Sequence, residues 1–203
     1  MNYITLGYDC SPASALRNLQ LRQFALPFDW IVAFVDNLDI CFQENFSRFH
    51  TNLRYNHTQR RVIDDYGFEY PHDYPLENEH IDNIEEAFIG EVVGKVICSN
   101  YMDYYDAIYN KYKRRIERFL NIMHDKKPII VLCRHSTSDV LKLQESILKN
   151  YKKENVYFVN STSEEFENNK IINIFTEKNG NWNEDDIWEK GIERIKSKID
   201  YTL

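Results

Sequence analysis

Six residues without a charge, Pro128–Cys133, stand between Asp125-Lys126-Lys127 and Arg134. This run constrains the fold more than anything else in the sequence. A strand with one wet face alternates apolar and polar residues, whereas an unbroken apolar run must be covered on both faces. Strands covered on both faces belong to parallel sheets lying between layers of helices. The flanking segments agree. A long helix is expected over Tyr101–His124, with Tyr104, Ile108, Tyr112, Ile116, Phe119 and Leu120 on one face. A helix over Ser138–Tyr151, strands at Asn155–Val159 and Ile171–Phe175, and a closing helix over Glu184–Ile199 follow. At the other end, Asn2–Leu6 reads as a strand ending at Gly7, and Ser11-Pro12 opens a helix that runs to Leu21. The expected architecture is α/β: one domain over residues 1–203, with a mostly parallel central sheet flanked by helices.

The middle of the chain is less regular. Leu26-Pro27-Phe28-Asp29-Trp30 is an apolar, proline-containing connection. Asp36-Asn37 caps an expected helix over roughly 37–52, with Leu38, Ile40, Cys41, Phe46 and Phe49 as its buried stripe. Arg60–Ile63 and Tyr66–Tyr70 read as short strands. Pro71-His72-Asp73-Tyr74-Pro75 is a loop, because proline at both ends forbids regular structure. The acidic stretch Glu77–Glu86 reads as a solvated helix or loop.

Composition excludes several function classes. With 14 Tyr and 12 Phe among 203 residues the chain is not disordered. Its net charge of −7 argues against nucleic acid as the main partner. No apolar run approaches the roughly 20 residues of a membrane span. The four cysteines, Cys10, Cys41, Cys98 and Cys133, lie too far apart for C-x-x-C or zinc spacing, and the N-terminus lacks a secretory pattern. The expectation is a cytoplasmic protein with reduced thiols, no membrane contact and no metal site.

Cys10 sits where a strand turns into a helix. Helix N-termini stabilise anions, so a thiol there should ionise more easily, and the N–H groups of residues 10–14 (Pro12 has none) can face an oxyanion. Cys10 is therefore a candidate nucleophile, or else a small buried apolar residue. The other three cysteines read as core. A thiol nucleophile needs a proton acceptor, and of six histidines His72 stands out. Prolines restrict its loop and Asp73 follows it. The alternative is an exposed loop histidine. His135, just past the apolar strand, is the runner-up, since ligands of α/β sheets bind outside the strands' carboxyl ends. Asp9 lies in the turn before Cys10. Asp29, between Phe28 and Trp30, should be buried and paired with Arg17 or Arg22, or else lie near the site. The run Lys111-Tyr112-Lys113-Arg114-Arg115 reads as a solvated helix face or an anion-binding patch. G-x-S-x-G, G-x-x-x-x-G-K-[ST], H-E-x-x-H and a glycine-rich dinucleotide loop are all missing, and Cys10…Arg17 is one residue too long for the C-x5-R phosphate loop.

Several segments together resemble a known family. They are Ile4-Thr5-Leu6-Gly7-Tyr8-Asp9-Cys10, Leu16-Arg17 through Leu26-Pro27-Phe28-Asp29-Trp30, Tyr70-Pro71-His72-Asp73, Tyr112-Lys113-Arg114-Arg115-Ile116-Glu117-Arg118-Phe119, and the strand ending in Cys133-Arg134. They resemble the DUF1796 group of papain-like cysteine peptidases of bacteria and large DNA viruses, over about residues 2–175. The resemblance implies Cys10 as nucleophile and His72 as its acid/base partner, in the chain order of papain-like enzymes. Asp73, or less directly Asp29, would be the orienting group. It implies a hydrolase that needs no cofactor, acting on a peptide or small-molecule substrate, and a viral member would work in the host cytoplasm. Asp9, Arg22, Asp29, Trp30 and Arg134 are the expected substrate-binding residues. The rival expectation is a transferase-like α/β domain in which the Cys10 turn and Arg22, Arg114 or Arg134 bind a phosphate or sugar nucleotide.

Overall fold

The computed structural model describes residues 1–58, 60–84, 89–90, 95–175 and 184–200. Four parallel strands form the central sheet: β1 (Asn2–Thr5), β5 (Ile129–Cys133), β6 (Val156–Ser161) and β7 (Ile171–Ile174), side by side in that order. Three short strands, β2 (Arg54–Asn56), β3 (Arg61–Ile63) and β4 (Glu69–Tyr70), make a separate antiparallel sheet. The helices are α1 (Ser11–Asn18), α2 (Val35–Gln43), α3 (Tyr105–His124), α4 (Thr137–Tyr151) and α5 (Asp185–Asp200), and a 3-10 turn over Tyr101–Tyr104 leads into α3. The fold is the mixed α/β class with a parallel central sheet flanked by helices.

Every residue of β5 is buried, as its unbroken apolar run requires. Alternation along the strand divides the core in two. Ile129, Val131 and Cys133 join Ile4, Leu6 and Phe158 against α2, α3 and α4. Ile130 and Leu132 join Val159, Ile172 and Ile174 against α1 and α5. The first face is closed by a cluster of rings centred on Phe28, with Phe42, Phe46, Phe49, Phe68 and Phe119 at centroid distances of 5.5–5.9 Å. On the second face α5 lies close to the sheet. A Cβ built at Gly191 would stand 2.7 Å from a methyl of Val159 and 3.0 Å from one of Ile174. Both are branched core side chains that cannot swing away. Gly191→Ala is therefore expected to destabilise the protein by about 1–3 kcal/mol despite alanine's better helix propensity. Urea denaturation checks this, and a gain in stability would show that α5 can shift outward.

Several expected boundaries move. The second helix spans Val35–Gln43 instead of 37–52, because Asn45 and Phe46 both take left-handed backbone conformations (φ 49° and 62°) and stop it. Phe46 and Phe49 are still buried, but from turns. Gln20, at φ 54°, likewise follows the end of α1. Arg54–Asn56 is a strand that the sequence reading passes over. The acidic stretch Glu77–Glu86 is turn and irregular chain as far as residue 84, and its last two residues lie outside the described ones. Lys111 is interior, not on a solvated face. No helix among the described residues is long and apolar enough to cross a membrane.

Candidate active site

The chain reaches Cys10 through the tight turn that ends β1. Gly7 is required there, since a Cβ would lie 2.9 Å from the Asp9 carbonyl oxygen. Asp9 Oδ1 accepts from the Ser11 N–H (2.9 Å) and the Ser11 hydroxyl (2.7 Å), which closes the turn. Asp9 Oδ2 accepts from Arg134 at 2.6 Å, tying the turn to the end of β5. Cys10 caps α1, and its carbonyl accepts the Ser14 N–H.

A relay of backbone bonds carries His72 to this turn from 62 residues away. The Gly7 carbonyl accepts from Ala33 N–H (2.9 Å). Val32 exchanges two hydrogen bonds with Glu69 on β4, at 3.0 and 3.1 Å. Three residues later His72 faces Cys10, with Nε2 at 3.1 Å from Sγ. Its other ring nitrogen, Nδ1, lies 2.6 Å from the Ile89 carbonyl oxygen, and the Ile89 N–H donates back to the His72 carbonyl (3.1 Å). A carbonyl can only accept, so Nδ1 carries the ring proton and Nε2 presents a lone pair to the thiol. Trp30 stands edge-on to the imidazole at 6.1 Å and packs with Cys10 and Ala13.

Both members of the pair are covered: Cys10 is 5% and His72 6% exposed. Burial, with Asp9 adding to it, pushes the thiol up to about 12, against the lowering expected from the helix N-terminus. An eight-residue helix does not compensate for the lost water. Burial also pulls His72 down from the ordinary histidine value. The resting pair is thus a neutral thiol donating to a neutral imidazole. Arg61 on β3 is close enough to both groups to favour the thiolate and disfavour the imidazolium. It is paired with Glu69 (2.9 Å), and no motif pointed to it.

The other expected residues separate into two groups. Asp9, Trp30 and Arg134 adjoin the Cys10–His72 pair. Asp73 does not orient the ring through a hydrogen bond. Its carboxylate turns to Lys111 Nζ (3.0 Å) and accepts from the Tyr112 hydroxyl (2.6 Å), and the Ile89 carbonyl takes the place expected of it. Arg22 and Asp29, expected to bind substrate, form an interior pair at 2.5 Å, 7% and 1% exposed. Asp29 also accepts from Thr5 Oγ1 (2.6 Å) and the Leu26 N–H (2.6 Å), so it pins the proline-containing connection to β1. Of the arginines the anion-binding reading relied on, Arg134 is thus engaged by Asp9 and Arg22 by Asp29. Arg114 is on the exposed face of α3. His135 sends Nε2 to the Leu6 carbonyl (3.1 Å) and is locked to Asn160 through its backbone. His50 is buried among Tyr70, Tyr74, Tyr105 and Tyr112. None of the four cysteines is in a disulfide.

Beside the Cys10 turn, at the carboxyl ends of β1, β5 and β6, a cavity of about 460 Å³ opens between Tyr8, Phe34, Arg134, His135, Ser161 and Thr162. Tyr8 and Phe34 form an exposed edge-to-face pair on its rim. Tyr8 is two residues from Cys10, so their Cα atoms lie within about 7 Å.

No curated protein and no solved structure matches the chain. Residues 1–162 match the family described as "Putative papain-like cysteine peptidase (DUF1796)". The matched region contains Cys10, His72, the segments that join them and the sheet as far as β6. On that match, over most of its length, the chain belongs to the DUF1796 family.

Proposed function

We propose that the protein is a cysteine-dependent acyl-transfer hydrolase of the peptidase kind, with Cys10 as nucleophile and His72 as acid and base. The observation that carries this reading is the 3.1 Å contact between Sγ and a ring nitrogen whose partner nitrogen donates to a carbonyl. The ring is poised to receive one proton, from one group.

The thiol proton passes to Nε2 as Sγ attacks the substrate carbonyl carbon. Because both groups begin neutral, proton transfer and attack are coupled and no resting thiolate is required. The oxyanion forms beside the first turn of α1. There Ser11 donates to Asp9 and Ser14 to Cys10, and Pro12 has no N–H. The Cys10 and Ala13 amides have no bond within the turn and serve as the donors. The imidazolium returns its proton to the leaving amine or alcohol. The same ring then activates a water to release the acid and restore the thiol. Trp30 limits solvent access to the imidazole, and the cavity behind Tyr8 has the size of a substrate subsite.

The test uses p-nitrophenyl acetate, a small ester whose acyl group can be followed by mass. The expected result is a burst of p-nitrophenolate, an acetyl group located on Cys10 and not on Cys41, Cys98 or Cys133, slow turnover as water clears the thioester, and loss of all three in Cys10→Ala. Acetylation spread evenly over the four cysteines, or unchanged hydrolysis by Cys10→Ala, would overturn the assignment.

A further inference from the structure

Beneath the His72 loop α3 turns a charged patch inward. Lys111 is 3% exposed and sits between Ile108 and Tyr112 on the buried face of the helix. Two contacts of its ammonium bear on the His72 loop. The ammonium lies 3.0 Å from Asp73 Oδ1, next to His72 in the chain, and it donates to the Ile84 carbonyl at 3.4 Å, on the far side of the loop. Tyr112 donates to the other Asp73 oxygen, and Arg115 approaches Oδ1 at 3.9 Å. Ile84 stands five residues before Ile89, whose backbone holds both the His72 ring and the His72 carbonyl.

A packing role alone does not account for this arrangement. Removing a carboxylate and an ammonium from water costs more than burying an apolar pair of the same size, and apolar replacements of buried ion pairs are often neutral or stabilising. An ion pair with directional bonds supplies what a methionine cannot, namely a fixed distance between three separate backbone segments. Those segments are α3, the His72–Asp73 loop and the backbone at Ile84. The second of them carries the imidazole.

We propose that Lys111 is a positioning residue for the Cys10–His72 pair, holding Asp73 and the Ile84 carbonyl together so that the loop presents the imidazole to the thiol. The proposal rests on the Cys10–His72 reading above and adds to it a cation that no motif assigns. It also gives Asp73 a role at one remove. Although burial would raise it, Lys111 first and Arg115 next hold the Asp73 carboxyl at about 2. Its charge therefore persists beside the imidazole and favours the imidazolium that forms as Cys10 loses its proton.

The experiment measures Cys10 acetylation by p-nitrophenyl acetate in Lys111→Met, Lys111→Arg and the double variant Lys111→Met/Asp73→Asn, each with its thermal melt. The double variant removes both members of the Lys111–Asp73 pair, so neither is left buried without the other, and its melt reports whether it folds where Lys111→Met alone does not. Loosening the loop is expected to slow acetylation by about 10²-fold in the single and double methionine variants, the usual cost of a misplaced reacting group. Arginine, which can reach both acceptors, should restore most of the rate. Nitrogen-15 spectra of the His72 ring should show one tautomer in the wild type and a mixture in the methionine variants. Folded methionine variants that acetylate at the wild-type rate with a single tautomer would overturn the proposal. If His72→Gln also acetylates normally, the Cys10–His72 reading itself fails; if only the Lys111 variants are normal, this inference alone fails.

Discussion

His72→Gln is expected to slow acetylation of Cys10 by about 10²–10⁴-fold at pH 8, the usual contribution of a positioned general base. The argument runs from burial. With the thiol pushed up to about 12 by burial, very few molecules carry a thiolate at pH 8. On the proposed mechanism the wild type does not depend on thiolate, because Nε2 accepts the proton as the sulfur attacks. Glutamine fills similar space but takes no proton. The pH profile separates the two cases. Acid protonates Nε2 and removes the acceptor, so the wild-type rate should rise with pH through the His72 pKa, which burial places below the ordinary 6.5. It should then stay level through the neutral range. The variant has no such plateau, and its rate should climb about tenfold per pH unit until the thiol itself ionises. Stopped-flow release of p-nitrophenolate between pH 5 and about 10 measures both curves. A wild-type rate that climbs without a plateau would mean that the imidazole takes no proton from Cys10.

Asp29→Ala carries the largest expected loss of stability, about 3–5 kcal/mol, as for other buried pairs that lose one partner. The carboxylate satisfies three donors at once: the Arg22 guanidinium, the Thr5 hydroxyl and the Leu26 N–H. Alanine leaves all three covered and without their acceptor, one of them charged. The damage should also spread. Asp29 lies between Phe28, at the centre of the ring cluster, and Trp30, beside His72, so the variant should lose Cys10 reactivity along with stability. Urea denaturation followed by tryptophan fluorescence gives the first result, and acetylation of the folded fraction gives the second. A loss below about 1 kcal/mol would show that water reaches Arg22 once the carboxylate is gone. In a sequence reading Asp29 and Arg22 suit a substrate site as well as an ion pair. The structure shows the ion pair, with Arg22 7% and Asp29 1% exposed, beside a small cavity that both residues line with Trp30.

Where the sequence was legible, local physics was sufficient. The run at β5 fits a strand covered on both faces, and the alternation of strands and helices around it fits a parallel sheet between helix layers. Ser11-Pro12 after a strand and Gly7 places Cys10 at a helix start without reference to the rest of the chain. Where the reading went wrong, distant partners had decided. Lys111 lies in a run of cations that reads as a solvated helix face; it is interior, 3.0 Å from Asp73, 38 positions earlier. Helix α2 stops early at two left-handed residues, neither of them glycine, which no local rule requires. His50 follows a polar stretch yet is enclosed by four tyrosines, two from α3 and two from β4 and the loop after it.

The sequence by itself determined the layered α/β architecture, the turn that carries Cys10 and the rigid loop that carries His72. Each follows from spacing and residue type within about a dozen positions. Tertiary structure alone decided that the two meet. The relay from Gly7 through Ala33, Val32 and Glu69 is made of backbone groups, which every residue offers alike and no motif can mark. The same reason explains why Asp73, the acid adjacent to His72, was the expected partner of the ring and the Ile89 carbonyl is the actual one.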